Sequence, residues 1–270
     1  MSIELHWIDC LAYMEDLKNV DLVVTSPPYD NMRTYNNSLE WNFDIFKKVA
    51  NSLTKSLKEG GVICWIVNDE TINGSETGSS FRQALYFKDT CGLNLHDTMI
   101  WNKEAFSAVG SLKTRYAPVF EYIFVLSKGK PRVFNPLKDR ENKSFGRKIT
   151  GTNVTSKRES RKKSSYGKTI GEFGQRFNVW NISAEMNRNI KHPAPFPLKL
   201  AKDLIYSWSN PNDLVFDPFL GSGTSALACK ELNRNFKGTE KVKEYFDIAK
   251  QRILTEGSQE TEVDICSMFN

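Results

Sequence analysis

Apolar residues recur along this chain with two periods. Short runs of β-branched and apolar residues predict buried strands at 21–25, 62–67, 95–101, 121–126, 214–216 and 235–238. Between them, apolar positions three and four apart predict helices. Residues 39–58 place Phe43, Phe46, Val49, Leu53 and Leu57 on one face, and Gly60-Gly61 is expected to end that helix. Further helices are expected at 79–90, at 197–207 with Leu200, Leu204 and Ile205 inward and Pro195 and Pro197 at its entry, at 222–232 and at 241–254. Strands alternating with helices imply an α/β fold with a doubly wound, mostly parallel sheet. The strands at 95–101 and 121–126 are joined by a loop and read as an antiparallel pair at a sheet edge. Periodicity is lost from 131 to 178 and returns at Val179-Trp180-Asn181-Ile182. Residues 255–270 are polar and acidic and read as a loose tail. No internal repeat is evident.

With 270 residues and 40% hydrophobic residues, the chain can bury a full α/β core. No apolar run approaches the roughly 20 residues that span a bilayer, and the N-terminus has no basic n-region or cleavage site, so a cytoplasmic location without membrane partners is expected. Five widely spaced cysteines without a Cys-x-x-Cys pair, and three histidines, argue against a structural zinc site or a disulfide framework. The net charge of +5 is unevenly spread: residues 138–168 hold eleven Lys or Arg against three acidic residues. Lys157-Arg158-Glu159-Ser160-Arg161-Lys162-Lys163, among Gly, Ser, Thr and Asn, has the composition of a mobile basic loop. Alone it would read as a solvated insertion. Beside an α/β catalytic core it reads as a polyanion-binding segment, with Arg158, Arg161, Lys162 and Lys163 as its candidate contacts.

Two loops carry the candidate chemistry. Gly221-Ser222-Gly223-Thr224-Ser225-Ala226 lies between a strand and a helix in the Gly-x-Gly-x-x-Gly/Ala pattern, which permits a tight turn and close approach of a ligand to the backbone. Glu240, ending the next strand, is placed to accept hydrogen bonds from the ribose hydroxyls of an adenosine-containing cofactor. A nicotinamide dinucleotide would use the same geometry, whereas a phosphate-cradling loop would require a Lys after the glycines. Asp217, before Pro218-Phe219, would repel a pyrophosphate but pair with a cationic ligand such as S-adenosylmethionine, although a buried Asp capping the turn would explain it alone. The second loop is Thr25-Ser26-Pro27-Pro28-Tyr29. Pro27 and Pro28 stiffen the backbone and have no N–H, so they can aim a carbonyl at a ligand. Together with the Ser26 hydroxyl that carbonyl would accept both hydrogens of an exocyclic amine, while Tyr29 offers a face for stacking a base. Such an amine is a poor nucleophile until its lone pair is localised, and a base inside a duplex must first be flipped out.

These motifs, in this order, resemble the β-class DNA amino-methyltransferases, which make N4-methylcytosine or N6-methyladenine. The resemblance runs from about residue 3 to 253. It implies a Rossmann-like methyltransferase sheet, S-adenosyl-L-methionine as cofactor and double-stranded DNA as substrate. The chain then divides into a catalytic half (1–130), an inserted basic target-recognition segment (131–178), a cofactor-binding half (179–254) and a tail (255–270). By the resemblance, Ser26, Pro27, Pro28 and Tyr29 are catalytic. Thr25, Asp217, Pro218, Phe219, Gly221, Gly223, Thr224 and Glu240 face the cofactor, as do His192, Pro193, Pro195 and Phe196 at its methionine end and Asp9 and Cys10 at its adenine. Read singly, His192 is a turn residue and Asp9 a helix cap. Arg33, beyond the catalytic loop, is a further candidate DNA contact. Ser-Pro-Pro-Tyr leans towards cytosine N4, with adenine N6 the alternative. Homodimers and a companion restriction endonuclease are the other partners that the resemblance admits.

Overall fold

A computed structural model describes residues 1–28, 41–104, 113–154, 160–184, 196–256 and 262–267, without the side chains of 153, 154, 161, 162 and 262–267. The chain opens with β1 (Ser2–Trp7), α1 (Cys10–Met14), β2 (Val20–Thr25), α2 (Phe43–Ser56) and β3 (Leu57–Val67). The two-residue hairpin β4 (Thr71–Ile72) and β5 (Ser75–Glu76) precedes α3 (Ser79–Asp89), β6 (Asn94–Asn102) and β7 (Phe120–Ser127). Four short strands follow, β8 (Arg140–Glu141), β9 (Thr152–Val154), β10 (Ser160–Lys162) and β11 (Phe173–Gly174). The rest is β12 (Val179–Asn181), α4 (Leu198–Trp208), β13 (Leu214–Asp217), α5 (Thr224–Leu232), β14 (Asn235–Glu240), α6 (Lys243–Thr255) and β15 (Glu262–Ser267).

Nine strands form one sheet in the order β12-β6-β7-β3-β2-β13-β14-β1-β15. Its described pairings are parallel except those of β7, which runs antiparallel to both β3 and β6. The antiparallel strand therefore lies inside the sheet, because β12 continues the sheet beyond β6. Residues expected to be a loose tail supply β15, parallel to β1; the exposed edge of β1 gives the acidic segment a backbone ladder that its composition does not announce.

The helix expected at 39–58 is described from Phe43 to Ser56, capped by the Asn42 side chain on the amides of Asp44 and Ile45. It ends at Ser56, because Leu57 is extended and already paired with Val20. Gly60 and Gly61 thus lie inside β3, and Gly60 has φ +77° with Arg132 Cβ 2.9 Å from where a side chain would begin. One face of the sheet packs Phe46, Trp65 and Phe87 ring against ring at 5.3–5.9 Å. The buried indole of Trp65 donates to Gln83 Oε1 at 2.8 Å. At the N-terminal ends of the strands, buried Asp21 accepts from Lys58 Nζ, Arg132 Nη2 and the Leu214 amide, binding β2 to β3 and β13 far from the opposite edge.

The chain separates into two compact units, residues 1–135 with 178–270, and residues 136–177. The smaller unit is built of paired short strands, β8 with β11 and β9 with β10, where an unstructured basic loop was expected. It also contains an internal repeat: residues 140–153 and 161–174 have the same turn and pairing pattern. The copies share only Arg140/Arg161, Ser144/Ser165, Gly146/Gly167 and Ile149/Ile170, too sparse to register as a repeat in the linear pattern.

Candidate active site at the carboxyl edge of the sheet

β2 and β13 are neighbours, and the chain leaves them towards opposite sides of the sheet order, β3 on one side and β14 on the other. That is the switch point at which open α/β sheets bind ligands. The two loops singled out in the sequence begin at these strand ends. Thr25, the last residue of β2, donates its hydroxyl to Asp217 Oδ1 at 2.6 Å. Asp217, the last residue of β13, also accepts from the Phe219 amide at 3.0 Å and from Ser225 Oγ at 2.5 Å. Three elements are therefore stapled to one carboxylate: the end of β2, the start of the glycine loop and the first turn of α5. Burial pushes the Asp217 carboxyl up to about 6, against the opposing pull of these hydrogen bonds.

The glycine loop is fixed from several sides. Gly221 (φ +53°) and Gly223 (φ +81°) both need the left-handed conformation. Leu220 N donates to Thr239 O, Thr239 Oγ1 to Pro218 O, and Gly223 N to Leu220 O. A Cβ on Gly223 would lie 3.0 Å from Ala249 Cβ and 3.2 Å from its Cα, so this glycine also serves the close packing of α5 on α6. Arg252 on α6 donates from Nη1 to Ser222 O at 2.7 Å and reaches Ser222 Oγ and Thr224 Oγ1 at 3.2 and 3.4 Å. Neither Arg252 nor Ser225 was singled out from sequence. Ser225 stands in the glycine pattern and could have been read as a partner for Asp217, whereas nothing in the spacing points to Arg252.

Glu240 ends β14 and is buried. Its Oε2 accepts from Gly221 N at 2.9 Å and its Oε1 from Val242 N at 2.8 Å. Burial, with Asp217 adding a smaller push, moves this carboxyl up to about 7. The carboxylate is acceptor-only when charged, so any lone pairs left over suit the donors of a diol or an amine. On the adjacent strand Trp7 is in register with Glu240. Asp9 caps α1 through the Leu11 amide at 2.9 Å and pairs with Lys241 at 3.2 Å, so the helix-cap reading of Asp9 is realised. The Cys10 thiol is pushed up to about 12, chiefly by burial and then by Asp9 and Glu240, which disfavours the thiolate.

Phe219 turns its ring towards the aromatic core, edge-on to Trp41 at 5.3 Å and to Trp65 at 6.4 Å. Pro218 and Thr224 are buried beside it. Ser26 and Pro28 are half-buried and Pro27 is buried, all at the end of β2. Phe196 precedes Pro197, the N-cap of α4, a helix that packs against β2 and α5. Tyr29, Arg33, Arg158, His192, Pro193 and Pro195 lie outside the described residues, as do the side chains of Arg161 and Lys162. Lys163 is exposed in the smaller unit, next to β10.

The sequence matches a family described as DNA methylase over residues 20–251. The orphan methyltransferase M.BamHII of Bacillus amyloliquefaciens is 47% identical over 249 residues, 87% of this chain and 88% of that protein. The type II methyltransferase M.SmaI of Serratia marcescens is 29% identical over 88% of this chain and 86% of its own. Among solved structures, the cytosine-N4-specific PvuII DNA methyltransferase superposes with a TM-score of 0.69 at 21% identity, covering 94% of this chain and 87% of its own. The M1.HpyAVI–SAM complex superposes with a TM-score of 0.61 at 25% identity, covering 93% and 100%.

Proposed function

This chain belongs to the DNA methylase family of S-adenosylmethionine-dependent amino-methyltransferases, and we propose that it methylates the exocyclic N4 of a cytosine flipped out of duplex DNA. The observation that carries this reading is the Thr25–Asp217 hydrogen bond, which makes the Ser-Pro-Pro-Tyr strand end and the glycine loop parts of one site. The substrate amine and the cofactor then share a crevice, and transfer needs no covalent intermediate with the protein.

S-adenosylmethionine, when bound, supplies a methyl group on a positively charged sulfur. Glu240 and the backbone of Gly221 to Gly223 would hold its adenosine end, and Asp217 would face its positive charge through the lone pairs left by Thr25, Ser225 and Phe219. On the other side, the Ser26 hydroxyl and a carbonyl of Pro27-Pro28 accept the two amine hydrogens and draw them out of the ring plane. That would localise the nitrogen lone pair for the methyl group the cofactor would supply, and the amine would give up one proton to solvent as it gains the methyl group. Tyr29 stacks on the extruded ring and keeps it in line. Arg33, Arg158, Arg161, Lys162 and Lys163 serve the DNA backbone in this reading, and His192, Pro193, Pro195 and Phe196 close the methionine end.

The preference for cytosine rests on the Ser-Pro-Pro-Tyr form of the loop. The enzyme acts where its DNA lies, in the cytoplasm, and a second copy of the chain and a companion restriction endonuclease are the further partners this reading admits. Duplexes synthesised with every cytosine already N4-methylated, or every adenine already N6-methylated, separate the two bases. Loss of transfer only with the blocked cytosines supports the reading; loss only with the blocked adenines reassigns the target.

A further inference from the structure

The smaller unit is two-fold symmetric within a single chain. Each residue n of 140–153 has its counterpart at n + 21. In β8 and β11 Arg140 pairs with Gly174 and Glu141 with Phe173; in β10 and β9 Arg161 pairs with Asn153 and Lys162 with Thr152. The turns match bond for bond. Phe145 N donates to Asn142 O and Arg147 N to Ser144 O, as Tyr166 N does to Lys163 O and Lys168 N to Ser165 O, at 2.9–3.2 Å. Gly146 and Gly167 have φ of +78° and +80°.

The copies complete each other. Gly146 N donates to Ile170 O and Gly167 N to Ile149 O, while Ile149 N donates to Lys168 O and Ile170 N to Arg147 O. The bridge between Lys148 and Thr169 marks the local axis. Neither copy is a closed unit by itself, so the symmetry belongs to the folded module. It presents two equivalent turns, each with an exposed aromatic residue (Phe145 62%, Tyr166 43%), a left-handed glycine and then a base, Arg147 or Lys168.

Residues 136–177 carry twelve Lys or Arg against four acidic residues, in a chain whose total is only +5. The occupant that fits is therefore a polyanion with two-fold symmetry. Duplex DNA has that symmetry, since its antiparallel strands are related by local dyads, and two-fold protein surfaces align with them. We propose that this module sits astride a local dyad of duplex DNA, with the turns at 144–147 and 165–168 making equivalent contacts. Arg147 and Lys168 each neutralise a phosphate, one on each strand, and Phe145 and Tyr166 pack on the adjoining sugars or bases. The proposal rests on the reading of the chain as a DNA methyltransferase.

The test uses the full chain with Arg147→Gln, Lys168→Gln and the double substitution, each checked for unchanged far-UV circular dichroism. Affinity for an unmethylated duplex is measured across a salt series, alongside transfer of a labelled methyl group to that duplex. Each single substitution is expected to reduce the slope of log affinity against log salt by about 0.9, and the double by about 1.8. Arg147→Lys is expected to restore the slope. Phe145→Ala and Tyr166→Ala are expected to weaken binding by the same fold as each other, with the slope unchanged. If the wild-type chain methylates the duplex but the slopes do not move, or move for one turn only, the two-fold contact is overturned and the enzymatic reading stands. If the wild-type chain transfers no methyl group to duplex DNA, the enzymatic reading fails first and this one with it.

Discussion

Thr25 Oγ1 and Asp217 Oδ1, 192 residues apart in sequence, are joined by a buried hydrogen bond of 2.6 Å. Removing the hydroxyl with Thr25→Val leaves the shape of the strand end but strips a donor from a buried carboxylate. That omission is expected to cost about 1–3 kcal/mol, read by urea denaturation. It should also push the Asp217 carboxyl further up, because the Thr25 hydrogen bond is one of those holding it down. Unchanged stability would mean that the two strand ends are held together by packing alone.

The buried carboxyls set a pH dependence. Asp217 is raised from 3.8 to about 6 and Glu240 from 4.5 to about 7, so the folded chain keeps protons where the unfolded chain has lost them. Stability on their account is therefore greatest at low pH and falls as pH rises from about 4 to about 7, then levels. The Asp217 share is about 3 kcal/mol between about pH 4 and 6. Asp217→Asn is expected to flatten that part of the curve; a curve identical to wild type would contradict the burial-driven shift.

The same protons bear on the cofactor. A positive charge facing Asp217 and ribose hydroxyls donating to Glu240 each favour the charged carboxylate, so affinity for S-adenosylmethionine is expected to rise from about pH 5 to about pH 8 and to release protons on binding. Calorimetry in two buffers of different ionisation enthalpy measures this. Affinity that is level or falls over the range would remove Asp217 and Glu240 from contact with the cofactor.

Gly223→Ala places a Cβ against Ala249 in a backbone conformation that costs an L-residue roughly 1–2 kcal/mol. The α5 start must then shift relative to α6. A drop in melting temperature with weaker cofactor binding is the expected result, whereas a chain with normal affinity would show that the loop tolerates the displacement.

Asp21→Ala probes the opposite end of the strands. Asp21 is buried, but Lys58 and Arg132 are 41% and 48% exposed and can rehydrate, so the loss is expected to be about 2 kcal/mol. Methyl transfer per folded molecule should be unaffected, because this network lies away from the carboxyl edge. A loss of turnover in folded protein would contradict that separation.

Much of this architecture was legible because its signals are local. The strands ending at Thr25 and Asp217 are short apolar runs followed by chemically unusual loops, and α4 has regular apolar spacing. What escaped was held by pairing between distant segments. β1 and β15 pair with each other, and the alternation each carries, Ile3, Leu5 and Trp7 in the one and Val263 and Ile265 in the other, spans only six residues. Gly60-Gly61 reads as a helix stop in sequence, yet Leu57 had already entered β3. The two-fold module is invisible for the same reason: its hydrogen bonds run between copies, which share only four identical positions, Gly146 and Gly167 among them. Asp217 and Glu240 could be singled out from their strand ends, but Arg252, reaching the glycine loop from α6, depends on helix packing that spacing does not encode.

The central claim is tested most directly by incubating the purified chain with unmethylated duplex DNA and S-adenosylmethionine carrying a labelled methyl group, then resolving the digested nucleosides by mass spectrometry. Ser26→Ala is run in parallel and is expected to bind cofactor normally while slowing transfer by about 100-fold. The expected product is labelled N4-methylcytosine, formed by the wild type. Labelled N6-methyladenine would contradict the base assignment, and DNA without label, from protein shown to bind the cofactor, would contradict the function itself.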